Sequence, residues 1–366
     1  MLAIGIIILF FAIFYLGVQL LILICNRSIF ASNLKERVNQ DGLVNFSIII
    51  AAKNESNNIP VLISALKKID YPNDNYEVII VDDNSSDNTL KIAEEQCSNI
   101  GNISVVKAVD KSYSGKRGAL DCGIYFAKHP NILITDADCI PNENWLNYCT
   151  LSVNNRCDFY FGIAPFFQKS NIVNKISCFE NFLNSFLAIS AVKLKIPYTA
   201  SARNFGFTKY AYNKIGGYSK TLDTISGDDD LLLREAVNNN LSICSLTHPG
   251  SFVYSESKYT FKEYFSQRSR HTQTSFYYPI KQKLFLALWH SLNIVFVLSP
   301  LLLIVNNLFI LLFLLKLIFD ITKTMLFQKK FGYKFKMLEV IYLQLLYEFF
   351  IVVHFFRAIF GRIEWK

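Results

Sequence analysis

Leu2 to Ile24 is a run of 23 residues without one charged side chain, long enough as a helix to cross a hydrocarbon layer of about 30 Å. A second apolar stretch, Leu284 to Phe319, is interrupted only by His290, Asn293, Asn306, Asn307 and Lys316. It reads as two helices joined by a turn at Asn306-Asn307, with Ser299-Pro300 placed to kink the first. A third, Met337 to Phe360, contains Glu339, Glu348, His354 and Arg357, and either spans or lies in the interface. A chain whose ends read this way is held to a membrane, and only its middle folds as a water-facing domain. The hydrophobic share of 52% fits that division.

The first run exceeds a secretory h-region, lacks a basic leader and ends in Cys25-Asn26-Arg27 rather than a small-x-small cleavage site, so a retained helix is expected. Arg27, Lys35 and Arg37 follow it, and Lys323, Lys329, Lys330, Lys334 and Lys336 precede the last segment. By the positive-inside tendency the middle domain is cytoplasmic, at the cell (inner) membrane. The net charge of +8 gathers beside membrane segments, which points to lipid headgroups and a nucleotide diphosphate, not to nucleic acid. Eight cysteines are scattered without a Cys-x-x-Cys pair or a Cys/His cluster. Reduced thiols, no zinc site and no disulfide framework are expected.

In the middle, continuous apolar strands alternate with helices. Phe46 to Ala52 is a strand, and a helix opens near Asn54-Glu55-Ser56 and runs to about Lys68. A second strand over Tyr76 to Val81 precedes a helix from Asn88 to about Cys97, and a third covers Ile103 to Val106. The helix Gly118 to Lys128 then leads to a strand ending at Asp136. This order predicts a doubly wound, mostly parallel sheet with its ligand at the carboxyl ends of the strands. Asn171 to Lys195 reads as a long Phe-rich helix, either core or membrane-facing.

Acidic turns fall at those strand ends. Asp136 and Asp138 flank one residue, so an extended chain sets both on one side, and their hard oxygens suit Mg2+ or Mn2+ carrying a diphosphate. Val81-Asp82-Asp83-Asn84-Ser85-Ser86-Asp87 is a second acidic turn, and Gly227-Asp228-Asp229-Asp230 opens a helix. One carboxylate suffices to cap that helix; three adjacent ones need a further reason. Lys116 sits on a glycine-flanked loop ahead of a helix, where a cation and helix-terminal amides face the same way.

With Ala51-Ala52-Lys53-Asn54-Glu55, Arg203-Asn204-Phe205-Gly206-Phe207, Gly216-Gly217-Tyr218 and Gln267-Arg268-Ser269-Arg270-His271, these motifs in their order resemble family 2 glycosyltransferases of the GT-A fold. The likeness is to membrane-embedded synthases of cellulose, hyaluronan, chitin and poly-N-acetylglucosamine, and to ceramide glucosyltransferases. It implies a transmembrane helix over 1–26, a GT-A domain over 46–279 and two or three transmembrane or interfacial helices over 284–360. It also implies that Asp82, Asp83, Lys116 and Asp136 hold the donor nucleotide, that Asp138 and Asp136 hold the metal, and that Asp229 is the catalytic base, with Asp228 beside it. Gln267, Arg268, Arg270 and His271 match the Gln-x-x-Arg-Trp signature of the diphosphate and acceptor region, with His271 where tryptophan is usual.

The activity implied is inverting, metal-dependent transfer of a sugar from a nucleotide-sugar donor, UDP-linked, to a hydroxyl of a polysaccharide or lipid-linked glycan. The alternative is a non-catalytic membrane scaffold or partner subunit that keeps the nucleotide-binding fold.

Overall fold

A computed structural model describes residues 2–27, 42–224 and 226–361. Lys35 and Arg37, on which part of the orientation argument rests, lie outside the described residues, as does the tail after Gly361. The chain divides into two compact units. One comprises residues 32–167 and 197–257, the other residues 1–31, 168–196 and 258–366.

The first unit is built on a seven-stranded sheet. Its strands in chain order are β1 (Phe46–Ala52), β2 (Tyr76–Asp82), β3 (Ile103–Lys107), β4 (Asn131–Ile134), β6 (Phe159–Gly162), β7 (Phe205–Thr208) and β8 (Ile243–Leu246). Their order across the sheet is β3-β2-β1-β4-β7-β6-β8. The half from β3 to β4 is parallel, as βα alternation requires. Only β7 runs against its neighbours, antiparallel to β4 and to β6. Two short strands, β5 (Cys139–Pro141) and β9 (Val253–Ser255), pair apart from the main sheet.

The strands are apolar throughout because both faces are covered. On one face Phe46, Ile48, Ile50, Val78 and Ile80 pack with Leu62, Leu66, Ala93 and Cys97 from α2 (Ile59–Leu66) and α3 (Thr89–Cys97). On the other lies α4 (Gly115–Phe126). A Cβ on its Gly123 would stand 2.4 Å from Ile49 Cγ2, so the glycine is what lets the helix close on β1. Trp145, at the start of α5 (Trp145–Asn154), is fully buried and donates to Asn204 Oδ1 at 2.9 Å. Asn204 Nδ2 in turn donates to the carbonyls of Ile163 and Ser251. One buried side chain thus ties the segments beside β6, β7 and β9.

Two expectations are corrected in detail. The helix foreseen from Asn54 starts at Ile59, because Asn54 is left-handed at φ 56° and the 54–58 segment serves as a loop. The eight cysteines are not all free: Cys157, just ahead of β6, is joined to Cys244 on β8. Parallel pairing of β6 with β8 brings their Cα atoms to 6.0 Å, within disulfide reach. A separation of 87 residues hid that neighbourhood in the sequence.

The second unit is helical. It contains α1 (Leu2–Cys25), α6 (Ile172–Lys193), α9 (Phe261–Ser275), α10 (Ile280–Leu298), α11 (Ile310–Phe327) and α12 (Met337–Phe360). Among the described residues, three stretches are long and apolar enough to cross a membrane: Ile4–Cys25, Ile280–Ile304 and Met337–Phe360. The proline at 300 does not break the second of them; a 3-10 turn over Ser299–Ile304 carries it on. The Phe-rich α6 is core. Phe179, Phe182 and Phe186 are buried, and their rings meet Phe327, Phe331 and Phe335 at 5.0 to 6.4 Å.

A charged cluster sits inside this helical unit. Lys316 Nζ lies 2.7 Å from Asp320, 3.1 Å from Glu348 and 2.8 Å from Asn293 Oδ1, and Lys323 closes on Asp320 at 2.7 Å. Two cations and two carboxylates cancel, which is the condition under which charge is tolerated among apolar helices.

Candidate active site

The loops after β1 and β2 are stitched together by side chains. The Asn54 amide donates to Ser85 Oγ, Asn54 Oδ1 accepts from the Ser86 amide, and the Glu55 amide donates to Thr89 Oγ1. Asp87 accepts from the amides of Ser56 and Thr89 and from the Thr89 hydroxyl, and those bonds, the hydroxyl's above all, hold its carboxyl down at about 2. Asp87 is therefore a structural acceptor. Asp82 Oδ2 accepts from the Ser85 amide three residues on at 3.3 Å, which closes the turn after β2. Asp83, beside it and buried, is ion-paired with Lys111.

The turn into α4 is tight: a Cβ on Gly118 would fall 1.9 Å from the Tyr113 carbonyl oxygen, and Gly115 takes φ 64°. Two consecutive cations follow from that turn. Arg117, buried, donates from Nη1 to the Thr224 carbonyl and from Nη2 to the Ser226 carbonyl at 2.6 and 2.7 Å. It anchors the segment that leads into Asp228. Lys116 Nζ lies 2.7 Å from Asp136 Oδ1 and 3.1 Å from Asp228 Oδ2. One ammonium thus joins the end of β4 to the acidic triplet. Burial works against its charge, but the Asp136 and Asp228 carboxylates outweigh that and raise the Lys116 pKa well above the usual lysine value.

Each member of the triplet has a separate task. Asp230 Oδ1 accepts from the Thr199 hydroxyl and the Ala200 amide. Asp228 is paired with Lys116; burial would raise its carboxyl, and the Lys116 cation brings it below the ordinary value instead. Asp229 caps α8 (Asp230–Asn238), accepting from the Asp230 amide through Oδ1 and from the Ala202 amide through Oδ2. Among the described residues no cation lies within ion-pairing distance of it. Burial first, then the charges of Asp230 and Asp228, push its carboxyl well above the usual aspartate range. Adjacent carboxylates driven apart in proton affinity are the kind of pair that acid–base chemistry uses.

Oxygen atoms of Asp136 and Asp138 and Cys139 Sγ come within 4.8 Å of one another. The thiol donates to Asp138 Oδ1 at 3.6 Å, and burial pushes its own ionisation far up. A neutral thiol is a poor ligand. The usable donors are carboxylate oxygens, a hard set that fits Mg2+ or Mn2+.

The sequence-derived site thus falls into three groups. Asp136, Lys116 and Asp228 meet directly, with Asp138 two residues after Asp136 and Asp229 next to Asp228 in the chain. Asp82 and Asp83 share a second loop of the same unit. Gln267, Arg268, Arg270 and His271 belong to α9 of the helical unit. There Arg268 pairs with Glu180 of α6 at 2.9 Å, and Tyr264 donates to the same carboxylate at 2.7 Å. Lys111 and Arg117 escaped the sequence reading. Both are basic residues of the loop that yielded Lys116, and only their distant partners distinguish them.

Residues 47–216, a little under half of the chain, match the glycosyl transferase family 2 model. The beta-monoglucosyldiacylglycerol synthase of Trichormus variabilis is 38% identical over 99 residues, 27% of this chain and 21% of that protein. The protein named "Probable glycosyltransferase YdaM" of Bacillus subtilis is 26% identical over 260 residues, 68% of this chain and 59% of that one. These curated relatives are therefore matched over less than two thirds of their own length. Among solved structures, the mannosyltransferase PcManGT from Pyrobaculum calidifontis, in complex with GDP-Man and Mn2+, superposes with a TM-score of 0.58 at 15% identity, covering 96% of this chain and 99% of that chain. That likeness establishes the GT-A fold.

Proposed function

We propose that the chain is an inverting glycosyltransferase that moves a sugar from a nucleoside diphosphate donor, UDP-linked in our reading, to a hydroxyl of a membrane-borne acceptor. The observation that carries the reading is the Lys116 bridge between Asp136 and Asp228, because it sets the metal-type carboxylates beside the candidate base. In this reading Asp83 and Asp82 take the nucleoside, and Lys116 faces the diphosphate. Asp138 and Asp136 hold a divalent cation, which when bound offsets charge on the departing diphosphate. Asp229 removes the proton from the acceptor hydroxyl. The acceptor oxygen bonds to the anomeric carbon from the face opposite the diphosphate, and the electron pair of the broken C–O bond leaves on the diphosphate. Configuration inverts in this single displacement, and no protein nucleophile is needed.

Three membrane-length helices support an acceptor held in or at a bilayer, a glycolipid or a growing polysaccharide, and the basic residues beside them support a cytoplasmic catalytic unit at the inner membrane. Gln267, Arg270 and His271 are assigned to the diphosphate and acceptor region by their motif. Arg268 holds α9 to α6 through Glu180. The relative that glucosylates diacylglycerol, by its name, favours a lipid acceptor.

The test is to supply full-length protein in membranes with radiolabelled UDP-sugars and Mn2+, and to size the product. One lipid-soluble band means a single transfer to lipid, and a ladder means polymerisation. No transfer and no metal-stimulated hydrolysis of any nucleotide sugar would point instead to a scaffold that has kept the fold.

A further inference from the structure

The Lys116 ammonium occupies one of the two carboxylates that the proposed function assigns to the metal. Its Nζ is 2.7 Å from Asp136 Oδ1, and that oxygen is buried from solvent. The same cation is shared with Asp228 at 3.1 Å. An ammonium at hydrogen-bond distance from the Asp136 oxygen competes with a divalent cation that would bind the same carboxylate at about 2.1 Å. Two cations that close repel strongly in a partly buried site.

We infer that Lys116 is a resident counter-ion that keeps Asp136 from binding the divalent cation until a diphosphate draws the ammonium away, so that metal and nucleotide bind as a coupled pair. The inference rests on the reading of Asp136 and Asp138 as metal ligands. It adds an order to binding: metal alone binds weakly, and nucleotide and metal strengthen one another, reciprocally as linkage demands. The geometry supplies what such an exchange needs. Lys116 sits in the first turn of α4, whose N-cap Ser114 makes no side-chain cap bond, so a diphosphate arriving there meets the ammonium and the amides together. When Lys116 leaves Asp136, Asp228 remains as its second anchor.

The test measures Mn2+ binding to full-length protein in detergent by electron paramagnetic resonance, without turnover, with and without UDP. Lys116→Met is expected to bind Mn2+ alone about tenfold or more tightly than the parent, and to lose most of the tightening that UDP produces in the parent. Lys116→Arg, which keeps a cation in place, is expected to behave as the parent and shows that the position tolerates replacement. Lys111→Met removes a positive charge from the same unit without touching Asp136 and is expected to leave Mn2+ binding without UDP nearly unchanged. Equal Mn2+ affinity in the parent and Lys116→Met overturns the inference while leaving the metal reading intact, as does a gain in Mn2+ affinity without UDP that is as large in Lys111→Met as in Lys116→Met. No Mn2+ binding to any of the proteins, with or without UDP, overturns the metal reading and this inference with it.

Discussion

At the scale of single residues, one fold moves the proton affinities of adjacent Asp228 and Asp229 in opposite directions. Asp228 shares a cation, Asp230 is hydrogen-bonded to Thr199 and Ala200, and Asp229 is left with two amide donors and like-charged neighbours. A carboxyl raised in this way holds its proton above the ordinary aspartate value of about 3.9, and a base must be unprotonated to work. Transfer is therefore expected to fall as pH drops through the raised value, with the rate of donor-saturated enzyme following one ionisation; a rate that stays flat until pH reaches the ordinary aspartate value contradicts the assignment. The sign for stability is opposite. The folded state keeps this proton longer than the unfolded chain does, so its contribution to stability declines as pH rises between the two values. Arg117 offers a second check. Its two bonds to the 224 and 226 carbonyls position the approach to Asp228, and Arg117→Met is expected to lower kcat more than it changes KM for the donor. A rise in KM alone would show that it serves binding instead.

At the scale of elements, the sequence disclosed what lies within a few residues along the chain. The parallel strands β1 to β4 were legible because strands covered on both faces read as unbroken apolar runs. The acidic turns were legible because they end those runs. What was not legible depends on partners far away. The insertion of β7 between β4 and β6 follows from pairing across more than forty residues. The bonds from Asn54 and Ser56 to residues 86 and 87 replaced the first turn of the expected helix. The start of α4 at Gly115, three residues before the expected Gly118, places Lys116 on the helix and not in the loop before it. On α11, the Lys316 that interrupted an apolar run is the hub of a four-charge cluster. Lys316→Met leaves two buried carboxylates with one cation, and is expected to cost about 3–5 kcal/mol in unfolding measurements in detergent. Replacing Lys316 and Glu348 together by Met is expected to cost less than the single change; equal or greater loss would mean the pair contributes more than mutual neutralisation.

At the scale of the whole molecule, the membrane reading and the Cys157–Cys244 bond meet in one question. The cytoplasmic setting proposed above is one where thiols are kept reduced, yet Cys157 and Cys244 are joined in the fold. On that proposed setting, thiol trapping in intact cells is expected to find the pair reduced, and purified protein left in air to form the bond seen here. A pair already joined in intact cells would place this unit on the oxidising side. The central claim concerns the proton acceptor, and the most direct measurement compares Asp229→Asn with the parent for both UDP binding and sugar transfer. The account predicts that the variant binds UDP within about threefold of the parent and loses transfer by about 10²–10⁴-fold. Transfer persisting near the parent rate would contradict it.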